Sequence, residues 1–286
     1  MPSRPEVIGD PALVRAAVLA ARAAGRRVGF VPTMGALHAG HASLVARAAA
    51  ACDDVAVSIF VNPTQFAPGE DFDRYPRTWA ADLTLLEAHG VRWVYAPEPS
   101  AVYPPDDATR VVVTGPATGF EGAIRPGHFT GVATVVCRLF LAVPADVAFF
   151  GGKDWQQTLV VRRMVRDLGL PVAIEVCPTV REPDGLAMSS RNAYLTATER
   201  PRARALFAAL ERAEAAWRAA AAPDAVEAAL AEPLLAAGLA IDYAAVVDAE
   251  SLGPVRPAAP AVALVAARLG TTRLIDNRLL PPRGDP

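Results

Sequence analysis

The sequence predicts an α/β protein that has a mostly parallel sheet with helices on both faces, followed by a smaller α+β domain. Short apolar runs alternate with helix-patterned segments through the first 180 residues, as they do in parallel sheets with crossover helices. Two long alanine-rich segments and three strand patterns follow. Turn-forming residues lie between these two patterns of helices and strands, at Pro178, Pro183 and Asp184-Gly185. They predict one domain at 1–179 and a second at 180–286.

The larger domain is predicted from the periodicity of its apolar residues. Buried strands are expected at the apolar runs 28–31, 55–61, 91–95, 147–150 and 172–176. Helices are expected where the apolar spacing is helical, at 41–51, 79–89, 130–143 and 155–168. Ligands of open α/β sheets bind at the carboxyl ends of the strands, so polar clusters that follow these strands are the first candidates for a site.

The smaller domain begins with a long helix of alanine, arginine and glutamate at 202–221. Asp224 is expected to cap a second helix, and Pro233 is expected to interrupt it. Strands are predicted at 241–247, 262–267 and 273–275.

Composition argues against several classes of partner and location. The 286 residues carry a net charge of -2, which gives no sign of a nucleic-acid or membrane surface. No apolar run reaches the roughly 18 residues that span a bilayer, and the first residues lack the order of a signal peptide. The three cysteines are scattered without a CxxC pair, which disfavours a disulfide framework. We therefore expect a cytoplasmic protein.

Lys153 is the single lysine among 28 Lys and Arg residues. It follows the predicted strand 147–150 and enters a helix, a place where an ammonium can bind phosphate as a point charge. The alternative is a surface lysine without function. Asp154 can accept hydrogen bonds from ribose hydroxyls. Of Gln156 and Gln157, which point about 100° apart on a helix, only one is expected to face a ligand.

A second cluster, Met34 to His41, joins a strand to a helix. Helix N-termini offer backbone N–H groups and partial positive charge, both of which favour phosphate. His38 and His41 lie on one side of the first turn and can donate hydrogen bonds to phosphate oxygens. A metal site and a purely structural pair are the alternatives, and the sequence offers no nearby third ligand for a metal.

Two further clusters complete the set. Asn62 and Gln65 follow the strand 55–61, and each amide offers a donor and an acceptor for hydroxyl and carboxylate groups. Met188 to Arg191, just past the domain boundary, combines small hydroxyl residues with an arginine, as a mobile anion clasp does. A serine pair that caps a helix is the alternative reading of the same residues.

These motifs together resemble the pantothenate synthetases, also called pantoate–β-alanine ligases, within the HxGH nucleotidyl transferases. The resemblance is carried by five segments, 32–41, 58–66, 75–78, 125–129 and 181–192. It runs from about residue 28 to 195 and continues weakly through 266–277. It implies a Rossmann-like amino-terminal domain, a smaller hinged carboxyl-terminal domain and a homodimer.

The implied reaction belongs to the coenzyme A pathway. Pantoate and β-alanine are condensed to pantothenate through a pantoyl adenylate, using ATP with Mg²⁺ and releasing AMP and diphosphate. The resemblance implies catalytic roles for His41 as an acid, His38, Lys153 and Arg191. It implies ATP contacts from Met34, Gly35, His38, Gly40, His41, Gly151, Gly152, Lys153, Asp154, Val180, Met188, Ser189, Ser190 and Arg191. Gln65 and Gln157 are implied for pantoate, and Gln65 also for β-alanine. Asn62, Glu121 and Arg125 match positions near the active site.

The sequence departs from the family pattern at two places. Gly152 and Trp155 stand where the family usually has glutamate and tyrosine, and the missing carboxylate is expected to loosen the loop that holds Lys153. Ala80 and Ala81 thin an acidic stretch, which leaves Asp82 as the acidic group expected near Mg²⁺.

Two other functions compete with the implied one. A nucleotidyl transferase that acts on another small substrate would not need two glutamines suited to a hydroxy acid and an amine. A regulatory nucleotide-binding module without turnover would not need His38, His41, Lys153 and Arg191 together.

Overall fold

The computed structural model describes residues 4–282, which form two compact units. Within the described residues, the larger unit comprises 4–152 and 156–178, and the smaller comprises 153–155 and 179–282. The units change at 178/179, next to the turn-forming residues that follow, and Lys153–Trp155 group with the smaller unit. Residues 1–3 and 283–286, which include the predicted domain ends and part of the region searched for a signal peptide, lie outside the described residues.

Six parallel strands form the sheet of the larger unit. Their bounds are β1 Glu6–Ile8, β2 Val28–Thr33, β3 Asp54–Ile59, β4 Trp93–Tyr95, β5 Val147–Gly151 and β6 Ala173–Cys177. The spatial order is β1-β4-β3-β2-β5-β6, so the direction of winding reverses between β2 and β5. Ligands of such sheets bind beyond the carboxyl ends of the strands at this reversal. The turn with His38 follows β2, and Gly151 ends β5.

Helices cover both faces of this sheet. They are α1 Pro11–Ala23, α2 Ala39–Ala51, α3 Trp79–Ala88, α4 Pro99–Val102, α5 Glu121–Ile124, α6 His128–Ala142 and α7 Trp155–Leu168. Successive residues of β2 enter opposite cores: Phe30 packs in the cluster that includes α1, α6 and α7, and Val31 in the cluster that includes α2 and α3. In the first cluster, Phe140 makes edge-to-face contacts with Phe30 and Phe150 at centroid distances of 6.3 Å.

The smaller unit packs helices against an antiparallel sheet. Its strands, in spatial order, are β7 Ala240–Asp248, β8 Ala261–Leu269 and β9 Thr272–Leu280. Its helices are α8 Arg200–Ala203, α9 Ala205–Arg218 and α10 Pro223–Ala236. The predicted fold class is confirmed by these two sheets. No helix among residues 4–282 is long and apolar enough to cross a membrane.

Several sequence predictions were wrong in detail. β1 and α1 were not predicted, although Asp10 caps α1 by accepting from the Ala12 and Leu13 N–H groups. The helix expected at 202–221 is divided at Arg204. Asp224 lies in the first turn of α10 and does not cap it.

Pro233 lies inside α10 and does not interrupt it. A proline removes one helical hydrogen bond and strains the preceding turn. Val226, Leu230 and Leu234, spaced four residues apart, are fully buried along one face. Their burial, at about 1.5–3 kcal/mol for each large side chain, outweighs the cost of the proline.

Candidate active site

Two histidines cap the helix that follows β2. His38 is the N-cap of α2, and its Nδ1 accepts a hydrogen bond from the Gly40 N–H at 3.1 Å. The Nδ1 of His41 accepts from the His38 N–H at 3.3 Å, and the two ring centroids are 4.2 Å apart. Because a neutral imidazole accepts at one nitrogen and donates at the other, these contacts place each proton on Nε2. The two rings therefore cap the start of α2.

The turn that precedes His38 is held by Asp82. This carboxylate, 2% exposed, accepts hydrogen bonds from the N–H groups of Ala36 at 3.0 Å and Leu37 at 2.8 Å. The Thr78 hydroxyl donates to the same carboxylate at 2.9 Å. Both oxygens of Asp82 accept hydrogen bonds from the protein, two at Oδ1 and one at Oδ2. The place near Mg²⁺ that the sequence assigns to Asp82 stays a prediction.

No dedicated metal cluster is found among residues 4–282: no group of three or more His, Cys, Asp or Glu side chains there could hold a metal ion. The histidine pair gains no third ligand of these types in that range.

Gln65 lies in a short 3₁₀ turn, Pro63–Gln65, after β3. The Asn62 Nδ2, in a side chain that is almost fully buried, donates to the Gln65 Oε1 at 3.0 Å. The Gln65 Nε2 contacts the Met34 Sδ at 3.2 Å. The two amide contacts fix the rotation of the Gln65 side chain and join two clusters that the sequence had predicted separately.

The backbone of Gln65 is held by a buried histidine and an arginine. The Gln65 carbonyl accepts from His128 Nδ1 at 2.8 Å and from Arg125 at 3.3 Å. Arg125 also donates to His128 Nε2 at 3.1 Å and pairs in a bidentate manner with Glu70, at 2.7 Å for both bonds. Glu121 lies 4.0 Å from Arg125.

This arrangement requires a neutral His128. Burial, and then the Arg125 charge, lower the pKa of His128 to about 4. Nδ1 then carries the proton for Gln65, and Nε2 accepts from the arginine. Sequence reasoning missed both His128 and Glu70 as site residues. Position 128 could have been found, because it lies in the motif 125–129 and is one of only four histidines.

Gly131 lets α6 approach the Gln65 turn. A Cβ at this position would lie 2.3 Å from the Thr64 carbonyl oxygen and 2.8 Å from the Gln65 Cα. The Gly131 carbonyl also accepts from Asn62 at 3.2 Å. Only a residue without a side chain permits this contact.

Of the two adjacent glutamines, Gln156 is engaged by the protein. Its Oε1 accepts from the Glu121 N–H at 3.0 Å, and its Nε2 donates to the carbonyls of Pro116 and Gly119, both at 2.8 Å. Gln156 is 5% exposed, whereas Gln157 is only partly buried. The amide of Gln156 is thus committed to the loop before α5, which supports Gln157 as the glutamine that faces a ligand.

In the smaller unit, two hydrogen bonds hold the segment with Lys153. Asn277 of β9 donates from Nδ2 to the Lys153 carbonyl at 2.7 Å. The indole Nε1 of Trp155 donates to the Ala249 carbonyl at 2.9 Å. The Lys153 Nζ lies 3.4 Å from Asp154. The expectation that Gly152 loosens this loop stays a prediction, but the loop has these two anchors.

The segment with the predicted clasp is a tight bend. Arg181 pairs with Ala187 in a short antiparallel bridge, and the Met188 N–H donates to the Val180 carbonyl at 3.0 Å. Two predicted ATP contacts, Val180 and Met188, are therefore neighbours. The Ser189 hydroxyl accepts from the Arg191 N–H at 3.2 Å and caps the 3₁₀ turn Ser190–Tyr194, so the capping alternative holds for this serine.

A buried ion pair supports that bend. Arg181 binds Asp276 of β9 through two bonds of 2.6 and 3.1 Å and also donates to the Gly185 carbonyl. The Asp276 side chain is 1% exposed. Bidentate pairs of this kind fix geometry as well as charge.

Comparisons with known proteins agree with the resemblance. A model of the pantoate-beta-alanine ligase family matches residues 6–279. A pantothenate synthetase from Roseiflexus castenholzii is 54% identical over 265 residues, covering 91% of this chain and 95% of the relative. One from Cereibacter sphaeroides is 53% identical over 275 residues, covering 96% and 99%.

Solved structures agree too. A pantothenate synthetase from Thermus thermophilus is similar with a TM-score of 0.90 and 46% identity, covering 97% of this chain and all of that one. A pantoate-beta-alanine ligase from Francisella tularensis, complexed with Beta-gamma ATP and Beta-alanine, gives a TM-score of 0.81 at 31% identity, covering 96% and 97%. The parallel sheet with helices on both faces is an α/β fold of the kind that binds ligands at the carboxyl ends of its strands. Within that class, the chain belongs to the pantoate–β-alanine ligase family.

The buried His128 makes stability depend on pH. Its pKa is near 6.5 in an unfolded chain and about 4 in the folded protein, so between these values the unfolded state binds the proton more strongly. We expect His128 to contribute a loss of unfolding free energy on the order of 3 kcal/mol as the pH falls through this window. Urea unfolding at pH 7 and pH 5 should show a smaller pH effect in His128→Gln than in wild type. His89→Gln should keep the wild-type pH effect, and an unchanged effect in His128→Gln would contradict the assignment.

Gly131→Ala should weaken the contact between α6 and the Gln65 turn. The added Cβ overlaps the Thr64 carbonyl, and relief requires the turn to shift, at about 1–3 kcal/mol for an overpacked position. The midpoint of urea unfolding measures this loss. Gly119→Ala is the matched control, because no atom lies within 4 Å of its Cβ. Equal midpoints for the two variants would refute the argument.

Proposed function

We propose that the chain condenses pantoate with β-alanine, using ATP and releasing AMP and diphosphate through a pantoyl adenylate. The observation that carries the proposal is the contact between Gln65 and Met34, which joins an oriented amide to the HxGH turn. Family membership supports it, as does the Francisella tularensis ligase, whose structure is complexed with Beta-gamma ATP and Beta-alanine.

The chemistry explains why ATP is needed. A carboxylate is a poor electrophile because its leaving group would be oxide. Attack of a pantoate oxygen on the α-phosphorus forms a mixed anhydride and releases diphosphate. The amine of β-alanine then attacks the acyl carbon and displaces AMP, a good leaving group.

The histidine turn suits the first step. Negative charge grows on phosphate oxygens in the transition state, and preorganised donors stabilise it. The Nε2–H groups of His38 and His41 and the N-terminus of α2 are such donors. His41 acts as the acid in this proposal. The remaining ATP contacts of this unit are assigned to Met34, Gly35, Gly40, Gly151 and Gly152.

The smaller unit supplies the other assigned nucleotide contacts. Lys153 binds phosphate and Asp154 binds ribose. Val180 meets the adenine beside Met188, and Ser189, Ser190 and Arg191 bind phosphate oxygens. The bend that makes Val180 and Met188 neighbours supports this grouping.

Gln65 and Gln157 bind pantoate, and Gln65 also serves β-alanine. An amide with fixed rotation distinguishes hydroxyl from carboxylate groups, because its donor and acceptor face set directions. Asn62 provides that fixation directly, whereas Arg125 holds the Gln65 backbone. Glu121 contributes through the loop held by Gln156.

Mg²⁺ enters this proposal with ATP. Mg²⁺ in proteins commonly binds through substrate phosphates with few protein carboxylates, and it neutralises charge on the phosphate oxygens. We further propose that the chain acts in the cytoplasm as a homodimer, with neither nucleic acid nor membrane as a partner. The net charge of -2 supports the last point.

Exchange of labelled diphosphate into ATP tests the adenylation step. Exchange should require pantoate and should not require β-alanine. Release of AMP and formation of pantothenate should require both. No pantoate-dependent exchange would overturn the proposal, and exchange with another small acid only would favour the nucleotidyl transferase alternative. ATP binding without any AMP release would favour the regulatory module.

Lys153→Ala should lower the diphosphate exchange rate by about 10²-fold or more, because the ammonium meets charge that develops in the transition state. Lys153→Arg is the matched control, since it keeps the charge but replaces a point charge with a planar fork. We expect the arginine variant to recover part of the loss. An alanine variant with the wild-type rate would return Lys153 to the role of a surface lysine.

A further inference from the structure

The turn before His38 has a backbone conformation that most residues avoid. Gly35 has a φ of 78° and Ala36 a φ of 52°. A residue with a Cβ is strained in this left-handed region, so Ala36 must be held there by its surroundings. Because Leu37 and His38 follow directly, the same constraint sets the start of α2.

The Asp82 carboxylate holds this turn through two hydrogen bonds. The consecutive N–H groups of Ala36 and Leu37 converge on its carboxylate, with Oδ2 at 3.0 Å from the first nitrogen and Oδ1 at 2.8 Å from the second. Successive N–H groups that converge in this way form a nest that binds anions. Here the anion is a side chain of the protein itself, from the first turn of α3.

The surroundings hold this carboxylate in place. Thr78, the N-cap of α3, donates its hydroxyl to Asp82 Oδ1 at 2.9 Å. A Cβ at Gly35 would lie 3.1 Å from Asp82 Oδ2 and 3.1 Å from the Ile59 Cγ2, so the turn and the carboxylate are in close contact. With 2% exposure, Asp82 has little access to solvent or to a ligand.

We propose that Asp82 is a positioning residue, an internal anion that fixes the turn and so directs His38 and the N-terminus of α2 toward the substrate phosphate. The inference rests on the proposed function. It also assigns the Ala36 and Leu37 N–H groups to Asp82, which removes them from phosphate binding. Phosphate contacts from this turn then come from the histidines and later N–H groups.

A positioning role and a role as a Mg²⁺ ligand predict different effects when the Asp82 carboxylate is removed. Loss of a metal ligand raises the Mg²⁺ concentration needed for half-maximal exchange, and excess Mg²⁺ restores the rate. Loss of a positioning carboxylate lowers kcat and leaves the Mg²⁺ requirement unchanged, because the ion is not bound there.

The test compares Asp82→Asn with wild type. Asparagine keeps the size but turns an amide donor toward one of the two backbone N–H groups. We expect kcat for pantoate-dependent diphosphate exchange to fall by about tenfold or more, with less than a threefold change in the half-saturating Mg²⁺ concentration. Asp167→Asn, at a half-exposed carboxylate on α7, is the control and should match wild type.

Two results would overturn the inference. The first is a folded Asp82→Asn protein with unchanged kcat. The second is a rate that excess Mg²⁺ restores. If Asp82→Asn does not fold, Thr78→Val removes only the hydroxyl donor and should lower kcat in the same direction by about twofold to fivefold, within the worth of one hydrogen bond. An unchanged Thr78→Val rate in that case also counts against it.

Amide hydrogen exchange separates this inference from the proposed function. The Ala36 and Leu37 amides should be protected in wild-type protein and should exchange at least tenfold faster in Asp82→Asn or, less strongly, in Thr78→Val. If wild type shows no pantoate-dependent exchange reaction, the proposed function fails, and the amide data still decide the role of the carboxylate. Rapid hydrogen exchange at the Ala36 and Leu37 amides of the wild-type protein would contradict their hydrogen bonds to Asp82.

Discussion

Buried polar groups must be hydrogen bonded, and this constraint shapes the candidate site more than any single catalytic residue does. Leaving a buried donor or acceptor unpaired costs about 1–3 kcal/mol. In the larger unit, three buried polar side chains meet the constraint by binding backbone: Asp82 binds the turn before His38, His128 binds the Gln65 carbonyl, and Gln156 binds the loop before α5. Each one fixes a segment that holds or adjoins a residue that the sequence assigns to the site or its surroundings.

His128 shows how a buried side chain beside the Gln65 turn is kept uncharged. Arg125 approaches its Nε2, so a proton on that nitrogen would meet a second positive charge in a buried environment. Burial and this neighbour together lower the pKa of His128, and the resulting neutral ring accepts on one side and donates on the other. Glu70 balances the arginine. The carbonyl of Gln65 is therefore held by a neutral histidine and by an arginine that pairs with Glu70.

Local patterns predicted much of the fold. The strand expected at 147–150 is Val147–Gly151, and the one expected at 172–176 is Ala173–Cys177, because long apolar runs have few alternatives to burial. The three-residue β1 lacks such a signal, and at Pro233 tertiary packing outweighs a local rule. The motifs identified His38, His41 and Gln65. They could not reveal that Asp82 faces Ala36, since that contact joins residues 46 positions apart and depends on how α3 packs.

The surroundings of Lys153 are a second feature that the local sequence could not predict. Lys153 lies two residues after the end of β5, yet the contacts of Lys153–Trp155 group these residues with the smaller unit. Asn277 binds the Lys153 carbonyl, and the Trp155 indole binds the Ala249 carbonyl. Asn277 in β9 and Ala249 in the turn after β7 therefore hold this segment, although they lie about a hundred positions away or more along the chain. The segment with Lys153 is thus held through the Lys153 carbonyl and the Trp155 indole, and the position of the lysine depends on these two contacts within the smaller unit.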